Sequence, residues 1–278
     1  MNEITIIIIT YKSEKVIYDF IKKIPSSIKT IIIENSKNYK LKSDIEEKYK
    51  NVSLFVKENN GVSSALNFAV DKIDTEYFLQ ISPDIKFDFK DLEIFINYAK
   101  NLNNNFAALG PRFLDVNEKS HKQIDEKLEC GEIDSIHGSC MFINKNNFEI
   151  IGKFDENFFL YFEETEFCFR AKKKGFSSYQ INKLKVNSAG RSVKIEKSNN
   201  ENFSNILIWH FIWSKFYFYK KKYGKLLSLI IFMPILIRIL FKIILYKITK
   251  NEILLNKYKS RLDGLLKSIM GYKSSLRP

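Results

Sequence analysis

Short, strongly apolar runs alternate with amphipathic segments over the first 100 residues. The runs fall at 4–11, 30–33, 53–56 and 77–81 and are rich in Ile, Val, Leu and Phe. The first run is too uniformly apolar for a strand with one solvent face, and it fits the centre of a parallel sheet. Because helical patterns follow these runs, the sequence predicts a doubly wound α/β fold.

The pattern predicts further elements as far as residue 170. They are a helix capped by Ser13, a helix after Gly61, a helix at 89–101, a strand at 106–111, a strand at 136–143, a helix at 145–151 and a helix that opens at Glu163. Residues 112–135 are polar and have no clear period, so we expect a surface excursion over the sheet edge.

Asp84 stands just after the apolar run 77–81. Pro83 marks the end of that strand, because proline cannot donate a hydrogen bond to a strand ladder. Ligands of open α/β sheets bind at the carboxyl ends of strands, where a rigidly held carboxylate suits a divalent cation. Ser82-Pro83-Asp84 is also ordinary turn chemistry, so a plain turn is the alternative.

A second candidate site precedes a helix rich in small residues. Gly61 allows a ligand to approach the backbone at the amino terminus of this helix, a position that favours anions such as a diphosphate. An Asn-Gly turn followed by a helix is common, so a structural role alone is the alternative.

Three acidic residues open the helix expected after the aromatic residues 158–162. Glu163 and Glu164 are adjacent carboxylates beside aromatic side chains, an environment that can raise a carboxyl pKa and produce a general base. Acidic residues also stabilise a helix amino terminus without any catalytic role. Glu166 and Arg170 have the spacing of an exposed i, i+4 ion pair.

The basic charge is concentrated in the C-terminal part of the chain. The net charge is +13, and residues 201–278 contain 15 Lys and Arg against 3 acidic residues. This part is also strongly apolar, which favours an anionic membrane surface over nucleic acid as a partner. The segment 226–245 is almost wholly apolar but contains Pro234, Arg238 and Lys242. Because charges inside a bilayer are costly, we expect a helix, or a helix pair broken at the proline, that lies in the membrane interface. A membrane-spanning helix and a helix packed on the rest of the protein are the alternatives.

The cysteines and the amino terminus bear on the compartment. The chain has 3 cysteines without metal-ligand spacing, which favours reduced thiols. The first residues lack the basic region and cleavage site of a signal peptide. Both features predict a cytosolic environment.

Five sequence elements occur in an order that resembles the inverting, GT-A-fold family 2 glycosyltransferases, especially their rhamnosyltransferase-like branch. The resemblance covers roughly residues 3–195. The elements are Thr10-Tyr11, Glu34-Asn35-Ser36, Asn59-x-Gly61 with Asn67, Ser82-Pro83-Asp84, and Gly138 with the run from Gly152 through Asp155 and Tyr161 to Glu163-Glu164.

The resemblance implies a GT-A fold, which is a mixed sheet flanked by helices, followed here by basic apolar helices. Residues 1–200 would form the catalytic domain and residues 201–278 a membrane-associating tail. The implied activity is transfer of a rhamnose-like or other hexose from a nucleotide-diphosphate donor to a lipid-linked or polysaccharide acceptor, with inversion. The implied place is the cytoplasmic face of the plasma membrane, in cell-surface glycan synthesis.

The family motifs also imply roles for individual residues. Glu164 takes the place of the catalytic base, and Asp84 takes that of the residue that holds Mg²⁺ or Mn²⁺. The donor-binding residues would be Thr10, Tyr11, Glu34, Asn35, Asn59, Gly61, Asn67 and Ser82, and the acceptor-side residues Gly138, Asp155, Tyr161 and Glu163.

Three positions depart from the family pattern. Glu34 and Glu164 replace the usual Asp, and Asn187, in the segment 187–192, replaces a His that can assist metal binding. The alternative is therefore a catalytically inactive, membrane-docked protein that binds sugar nucleotides. A dehydrogenase is disfavoured, because no Gly-x-Gly-x-x-Gly follows the first strand.

Overall fold

The structure is a computed structural model that describes residues 3–115, 122–188 and 200–278. The chain forms two compact units. The first runs through Asp155 and resumes at Glu164, and the second combines Glu156–Glu163 with the C-terminal helices. Residues 156–163 therefore group with the C-terminal helices, although they precede residue 200 in the chain.

Within the described residues, the first unit is built on a nine-stranded mixed sheet with helices between the strands, which confirms the predicted fold class. The elements up to residue 188 are β1 (Ile4–Thr10), α1 (Glu14–Ile21), β2 (Lys29–Glu34), α2 (Tyr39–Lys48), β3 (Val52–Val56), α3 (Val62–Val70), β4 (Tyr77–Ile81), β5 (Ile85–Lys86), α4 (Leu92–Asn101), β6 (Leu109–Phe113), β7 (Cys130–Ile133), β8 (Cys140–Asn144), α5 (Lys145–Ile151), α6 (Glu163–Lys173) and β9 (Ser178–Ser188). The strand order is β3-β2-β1-β4-β8-β6-β9-β5, and β7 pairs with β9.

The first four strands are parallel neighbours at one side of the sheet. β1 pairs with β2 and β4, and β2 pairs with β3. Ile6 and Ile8 belong to one buried apolar cluster, whereas Ile7 belongs to another. Since successive strand residues point to opposite faces, both faces of β1 are covered, which explains its uninterrupted apolar run.

The structure corrects the boundaries of two strands. The strand expected at 106–111 is β6, which continues past Pro111, and its pairing with β9 shifts register between Pro111 and Arg112. Strands tolerate proline at such irregularities. The strand expected at 136–143 begins only at Cys140, because the Cys140 N–H donates to the His137 carbonyl and closes a turn.

Two strands were not predicted, and the predicted cap at Ser13 makes no capping hydrogen bond. Part of the segment 112–135, expected to be a surface excursion, forms β7, which pairs antiparallel with β9. The sequence pattern does not predict β9 itself. Ser13 lies at the N-cap of α1, but its hydroxyl donates to the Tyr11 carbonyl at 3.0 Å and does not accept a bond from the helix.

The second unit contains three long helices, which are α7 (Asn200–Tyr223), α8 (Lys225–Ile248) and α9 (Glu252–Met270). They share an apolar cluster that includes Phe216, Phe232 and Leu265. α7 and α9 approach closely at Gly264, where a Cβ atom would lie 2.6 Å from the Trp209 carbonyl oxygen. The close approach therefore requires glycine at this position.

One face of α8 is apolar and exposed along the length of the helix. Its exposed side chains recur every three or four residues and include Leu226, Ile230, Met233, Ile237, Phe241, Ile244 and Ile248. Of the helices in the described part of the chain, α8 alone is long and apolar enough to cross a membrane, and 17% of its 18-residue apolar window is buried. The helix is continuous through Pro234, so of the two expected forms the structure has the single helix and not the pair broken at the proline.

Candidate functional site

Seven of the residues predicted to bind a donor lie at the ends of the four parallel strands. Thr10 is the last residue of β1 and Tyr11 follows it, Glu34 is the last residue of β2 and Asn35 follows it, Asn59 and Gly61 follow β3, and Ser82 follows β4. Because these strands run parallel, their carboxyl ends lie at one edge of the sheet. The Asn35 N–H donates to the Thr10 carbonyl at 2.9 Å, and the Lys57 N–H donates to the Glu34 carbonyl at 2.8 Å. These bonds connect the ends of β1, β2 and β3.

The Glu34 side chain is fully buried and hydrogen-bonded within the protein. Its Oε2 accepts from Thr10 Oγ1 at 2.7 Å, and its Oε1 accepts from the Ser36 N–H at 2.5 Å and from the Ser36 hydroxyl. The carboxylate therefore joins the ends of β1 and β2. A contact between this side chain and a donor stays a prediction.

Gly61 begins α3 in a conformation that favours glycine. Its φ is 97°, and its N–H donates to Asn59 Oδ1 at 3.3 Å. A residue with a Cβ atom would be strained at this φ, so glycine fixes the direction in which the chain enters α3.

The Asn67 side chain, predicted to bind the donor, links α3 to the backbone of Phe154. Its Nδ2 donates to the Phe154 carbonyl at 2.9 Å, and its Oδ1 accepts from the Phe154 N–H at 3.0 Å. The side chain is 4% exposed. In this structure Asn67 therefore holds the chain just before Asp155, and a direct donor contact stays a prediction.

Asp84 lies in a tight turn directly after β4. The Ile85 N–H donates to the Ser82 carbonyl at 3.1 Å, so the turn expected from Ser-Pro-Asp is present. β5 then pairs antiparallel with the end of β9, and Lys86 stands opposite Asn187. Asn187 is thus close along the strands to the position of Asp84, while residues 189–192 of its motif lie outside the described residues.

Glu164 and Gly138 lie next to each other. A Cβ atom built on Gly138 would lie 3.5 Å from Glu164 Cδ and 3.6 Å from its Oε2. Burial raises the pKa of the Glu164 carboxyl above its ordinary value, although Thr165 Oγ1 donates to Glu164 Oε1 at 3.2 Å. A carboxylate that holds a proton more readily than usual is suited to general base catalysis.

Hydrogen bonds connect the Gly138 loop to the end of β4. The Ser82 N–H donates to the Ser139 carbonyl at 2.9 Å. Gly138 precedes Ser139 and contacts the Glu164 carboxyl, so one loop links the strand end before Asp84 to the candidate base. The structure therefore brings these predicted residues into one region of the first unit.

The other predicted acceptor-side residues stand where the chain passes from the first unit to the second. Asp155 is the last residue before this boundary, and Tyr161 and Glu163 belong to the second unit. Tyr161 has a φ of 68°, which is unusual for a residue other than glycine. Glu163 is the first residue of α6 and is 7% exposed.

Glu166 and Arg170 form the expected i, i+4 ion pair, but the expected exposure is wrong for Glu166, while the Arg170 side chain is 26% exposed. The Glu166 side chain is fully buried, and its Oε1 lies 2.8 Å from Arg170 Nε. The guanidinium also donates to the carbonyls of Ile151, Gly152 and Lys153. This pair therefore ties α6 to the end of α5.

His137 and Ser139 flank Gly138 and were not predicted as site residues. His137 Nδ1 lies 2.7 Å from Ser139 Oγ, and the His137 ring centroid lies 4.6 Å from that of Phe113. A His-Gly-Ser tripeptide before a buried strand is the only sequence signal for them. Their neighbours in space are not visible in the sequence.

Comparison with known proteins identifies relatives of this chain. Residues 5–171 match the family model described as Glycosyl transferase family 2. The low-salt glycan biosynthesis hexosyltransferase Agl10 of Haloferax volcanii is 26% identical over 198 residues, which cover 64% of this chain and 64% of Agl10. The dTDP-rhamnosyl transferase RfbF of Shigella flexneri is 22% identical over 269 residues, which cover 89% of this chain and 86% of RfbF. The chain thus spans just under two thirds of the length of Agl10.

Solved structures share the fold of this chain. The mannosyltransferase PcManGT of Pyrobaculum calidifontis, solved with GDP-Man and Mn²⁺, gives a TM-score of 0.60 at 13% identity, over 96% of this chain and 87% of its own. The S. aureus TarS 1–349 structure gives a TM-score of 0.55 at 12% identity, over 97% of this chain and 92% of its own. At these identities the likeness concerns the fold alone.

Proposed function

The chain belongs to glycosyl transferase family 2, and on that premise we propose that it moves a hexose from a nucleotide-diphosphate donor to a hydroxyl group of a lipid-linked or polysaccharide acceptor, with inversion. The observation that carries this proposal is the contact between the Glu164 carboxyl and Gly138. Gly138 lies in a loop that is hydrogen-bonded to Ser82, just after the end of β4. The curated names of the two relatives, a hexosyltransferase and a rhamnosyl transferase, support a hexose donor.

Glu164 would act as the general base of a single displacement. Its carboxylate accepts the proton of the acceptor hydroxyl, whose oxygen forms the new bond to the anomeric carbon. The bond between that carbon and the diphosphate breaks on the opposite face, and the nucleotide diphosphate leaves with the electron pair. Attack opposite the leaving group inverts the configuration.

Asp84 suits a divalent cation that is shared with the donor. The described residues contain no group of three or more His, Cys, Asp or Glu side chains that could hold a metal ion. The Asp84 carboxylate, in the turn after β4, would hold Mg²⁺ or Mn²⁺ as one oxygen ligand, with the donor present. When bound, such an ion offsets the charge that develops on the leaving diphosphate. PcManGT was solved with Mn²⁺, which agrees with this choice.

A donor screen by thermal shift tests the binding half of this proposal. We expect a uridine, thymidine or guanosine diphosphate sugar to raise the Tm of the full chain, and Mn²⁺ to increase that rise. Adenosine diphosphate and the free sugars serve as controls. No shift with any nucleotide sugar at millimolar concentration, with and without Mn²⁺, would remove the donor site from the proposal.

The C-terminal helices would hold the enzyme on the cytoplasmic face of the plasma membrane as a peripheral protein. The exposed apolar face of α8 supplies the surface that enters the bilayer. Arg238 is exposed on the same helix, and the net positive charge of the C-terminal part favours anionic headgroups. We propose that residues 1–200 form the catalytic domain and that the C-terminal helices anchor it.

Two polar substitutions on α8 are expected to release the protein from membranes. Ile237 and Phe241 are 60% and 61% exposed, so Ile237→Asp with Phe241→Asp changes the apolar face without opening a core. Each buried apolar side chain contributes about 1.5–3 kcal/mol, so binding to phosphatidylglycerol vesicles should fall by about 100-fold or more. Co-sedimentation measures this change.

The matched control is Ile150→Asp, which replaces an apolar side chain 58% exposed on α5. This variant should bind anionic vesicles as the unchanged protein does. If the α8 variant binds equally well, the membrane surface lies elsewhere. Equal binding to neutral phosphatidylcholine vesicles would remove the charge component of the proposal.

A further inference from the structure

The segment Glu156–Glu163 has a strained backbone next to the candidate base. Tyr161 and Phe162 both have a φ of 68°, a left-handed conformation that residues with a Cβ atom adopt at an energetic cost. The segment ends at the first residue of α6, and Glu164 follows it directly. Such strain persists only where surrounding contacts hold it, and it concentrates at functional sites.

One face of α7 supplies part of these contacts. The Phe211 ring lies 5.6 Å from the rings of both Tyr161 and Phe162. Ser214 Oγ donates to the Leu160 carbonyl at 2.8 Å. Phe211 and Ser214 are three residues apart, so they lie on the same side of the helix. α7 therefore contacts both strained residues and the residue before them.

His210, on the preceding position of α7, holds the other end of the aromatic run. Its ring stacks on Phe159 with centroids 4.5 Å apart and an interplanar angle of 23°. His210 Nε2 lies 2.8 Å from the Leu276 carbonyl, and its Nδ1 lies 2.9 Å from Ser274 Oγ. The Arg277 guanidinium lies 4.3 Å from the Phe159 ring centroid. We call residues 272–278 the C-terminal strap.

Burial keeps the His210 ring neutral, and its hydrogen bonds decide which ring nitrogen holds the proton. Burial lowers the pKa of His210 to about 4, so its ring is neutral near pH 7. A neutral ring has one N–H, which is Nε2–H donating to the Leu276 carbonyl, and Nδ1 accepts from the Ser274 hydroxyl. Both ring nitrogens thus bind the C-terminal strap, while the ring face packs on Phe159.

We propose that α7 and the C-terminal strap fix the conformation of the segment Glu156–Glu163, with His210 and Phe211 as positioning residues for the acceptor. This inference rests on the proposed function, because the acceptor role of the segment comes from the family motif. Within the second unit, the C-terminal part of the chain then holds the segment Glu156–Glu163 in place, in addition to its proposed role as an anchor. Its removal alters acceptor use even when membranes are absent.

Two single variants of the full chain test this inference. His210→Phe keeps an aromatic ring beside Phe159 but loses both bonds to the strap, and Phe211→Leu removes the ring beside Tyr161 and Phe162. The matched control is Phe232→Leu, which weakens the core between α7 and α8 without contact to the segment. The Tm of each variant is measured, so that an effect of lost stability can be separated from an effect on the segment.

Native-state cleavage by chymotrypsin reports the conformation of the segment without any ligand. Phe158 and Phe159 are buried, so release of the segment exposes new cleavage sites. We expect cleavage within 158–162 to become about tenfold faster in His210→Phe and Phe211→Leu, and unchanged in Phe232→Leu. Equal cleavage rates in all three variants would overturn the inference.

Kinetics with a synthetic acceptor separate positioning from stability. With octyl β-glucoside as the acceptor, kcat/KM for transfer should fall about tenfold or more in the two positioning variants, because small misplacements of substrate are costly. Release of the sugar to water and the KM for the donor should stay unchanged. If transfer and release of the sugar to water fall equally, and fall in the control as well, His210 and Phe211 stabilise the fold and do not position the acceptor. Failure of the unchanged protein to bind any donor would instead contradict the proposed function.

Discussion

Glu164→Gln is expected to lower kcat by about 10²- to 10⁴-fold, because it removes the group proposed to accept the proton of the acceptor hydroxyl. The substitution keeps the size of the side chain beside Gly138 and removes only its charge. Donor affinity should change little, since most of the residues proposed to bind the donor lie at the ends of β1 to β4. Steady-state rates together with donor titration by thermal shift separate the two effects.

Two related variants and the pH profile control this assignment. Glu164→Asp restores the family's usual residue and should keep substantial activity, and Glu163→Gln should be milder than Glu164→Gln. Burial raises the pKa of Glu164, and a base acts only when ionised, so activity should rise with pH through a value above the ordinary 4.3 or so of glutamate. If Glu163→Gln is the more damaging change, the roles of the two carboxylates must be exchanged.

Asp84→Asn should lower turnover by about 100-fold or more, since several kcal/mol of transition-state stabilisation depends on the metal that Asp84 would hold. The amide has nearly the volume of the carboxylate, so the turn after β4 and the Tm should be preserved. The apparent Mn²⁺ affinity, measured from the metal dependence of the rate, should weaken together with turnover.

Asp88→Asn provides the matched control for Asp84. Asp88 is exposed four residues further on, and its side chain accepts a hydrogen bond from the Lys90 N–H at 3.0 Å, which asparagine can also accept. This variant should keep full activity and metal dependence. Unchanged metal dependence in Asp84→Asn would exclude Asp84 from the metal site.

The sequence was most informative where both faces of a strand are apolar. β1 to β4 were predicted because burial on both faces leaves continuous apolar runs. β9 was missed because polar residues occupy buried positions on it. Gln180 Nε2 donates to Asn182 Oδ1 at 2.7 Å, and Asn182 Nδ2 donates to the carbonyls of Asp125 and Leu128. These partners are more than 50 residues away in the chain, so the local pattern does not reveal the strand.

The same limit applies to charged residues near the site. The i, i+4 spacing of Glu166 and Arg170 indicates an ion pair but gives no information on burial. Glu166 is fully buried, and Arg170 donates to three carbonyls at and just after the end of α5, which only the tertiary structure provides. Glu34 likewise matches a motif position, while its bonds to Thr10 and Ser36 depend on the pairing of β1 with β2.

The order of motifs predicted which residues share the edge of the sheet, but the support of the acceptor-side residues came only from the structure. Within the second unit, Phe159 contacts His210 and Tyr161 contacts Phe211. Nothing in the spacing of these residues identifies α7 as their partner.

The anomeric configuration of the product tests the central claim most directly. The full chain, Mn²⁺ and the nucleotide sugar that gives the largest thermal shift are followed by proton NMR during the first turnovers, with water or octyl β-glucoside as acceptor. We predict that the sugar first appears with the configuration opposite to that in the donor, and that Glu164→Gln abolishes this signal. Retention of configuration, or donor binding without any turnover, would contradict the account, and the latter would favour an inactive nucleotide-sugar-binding protein.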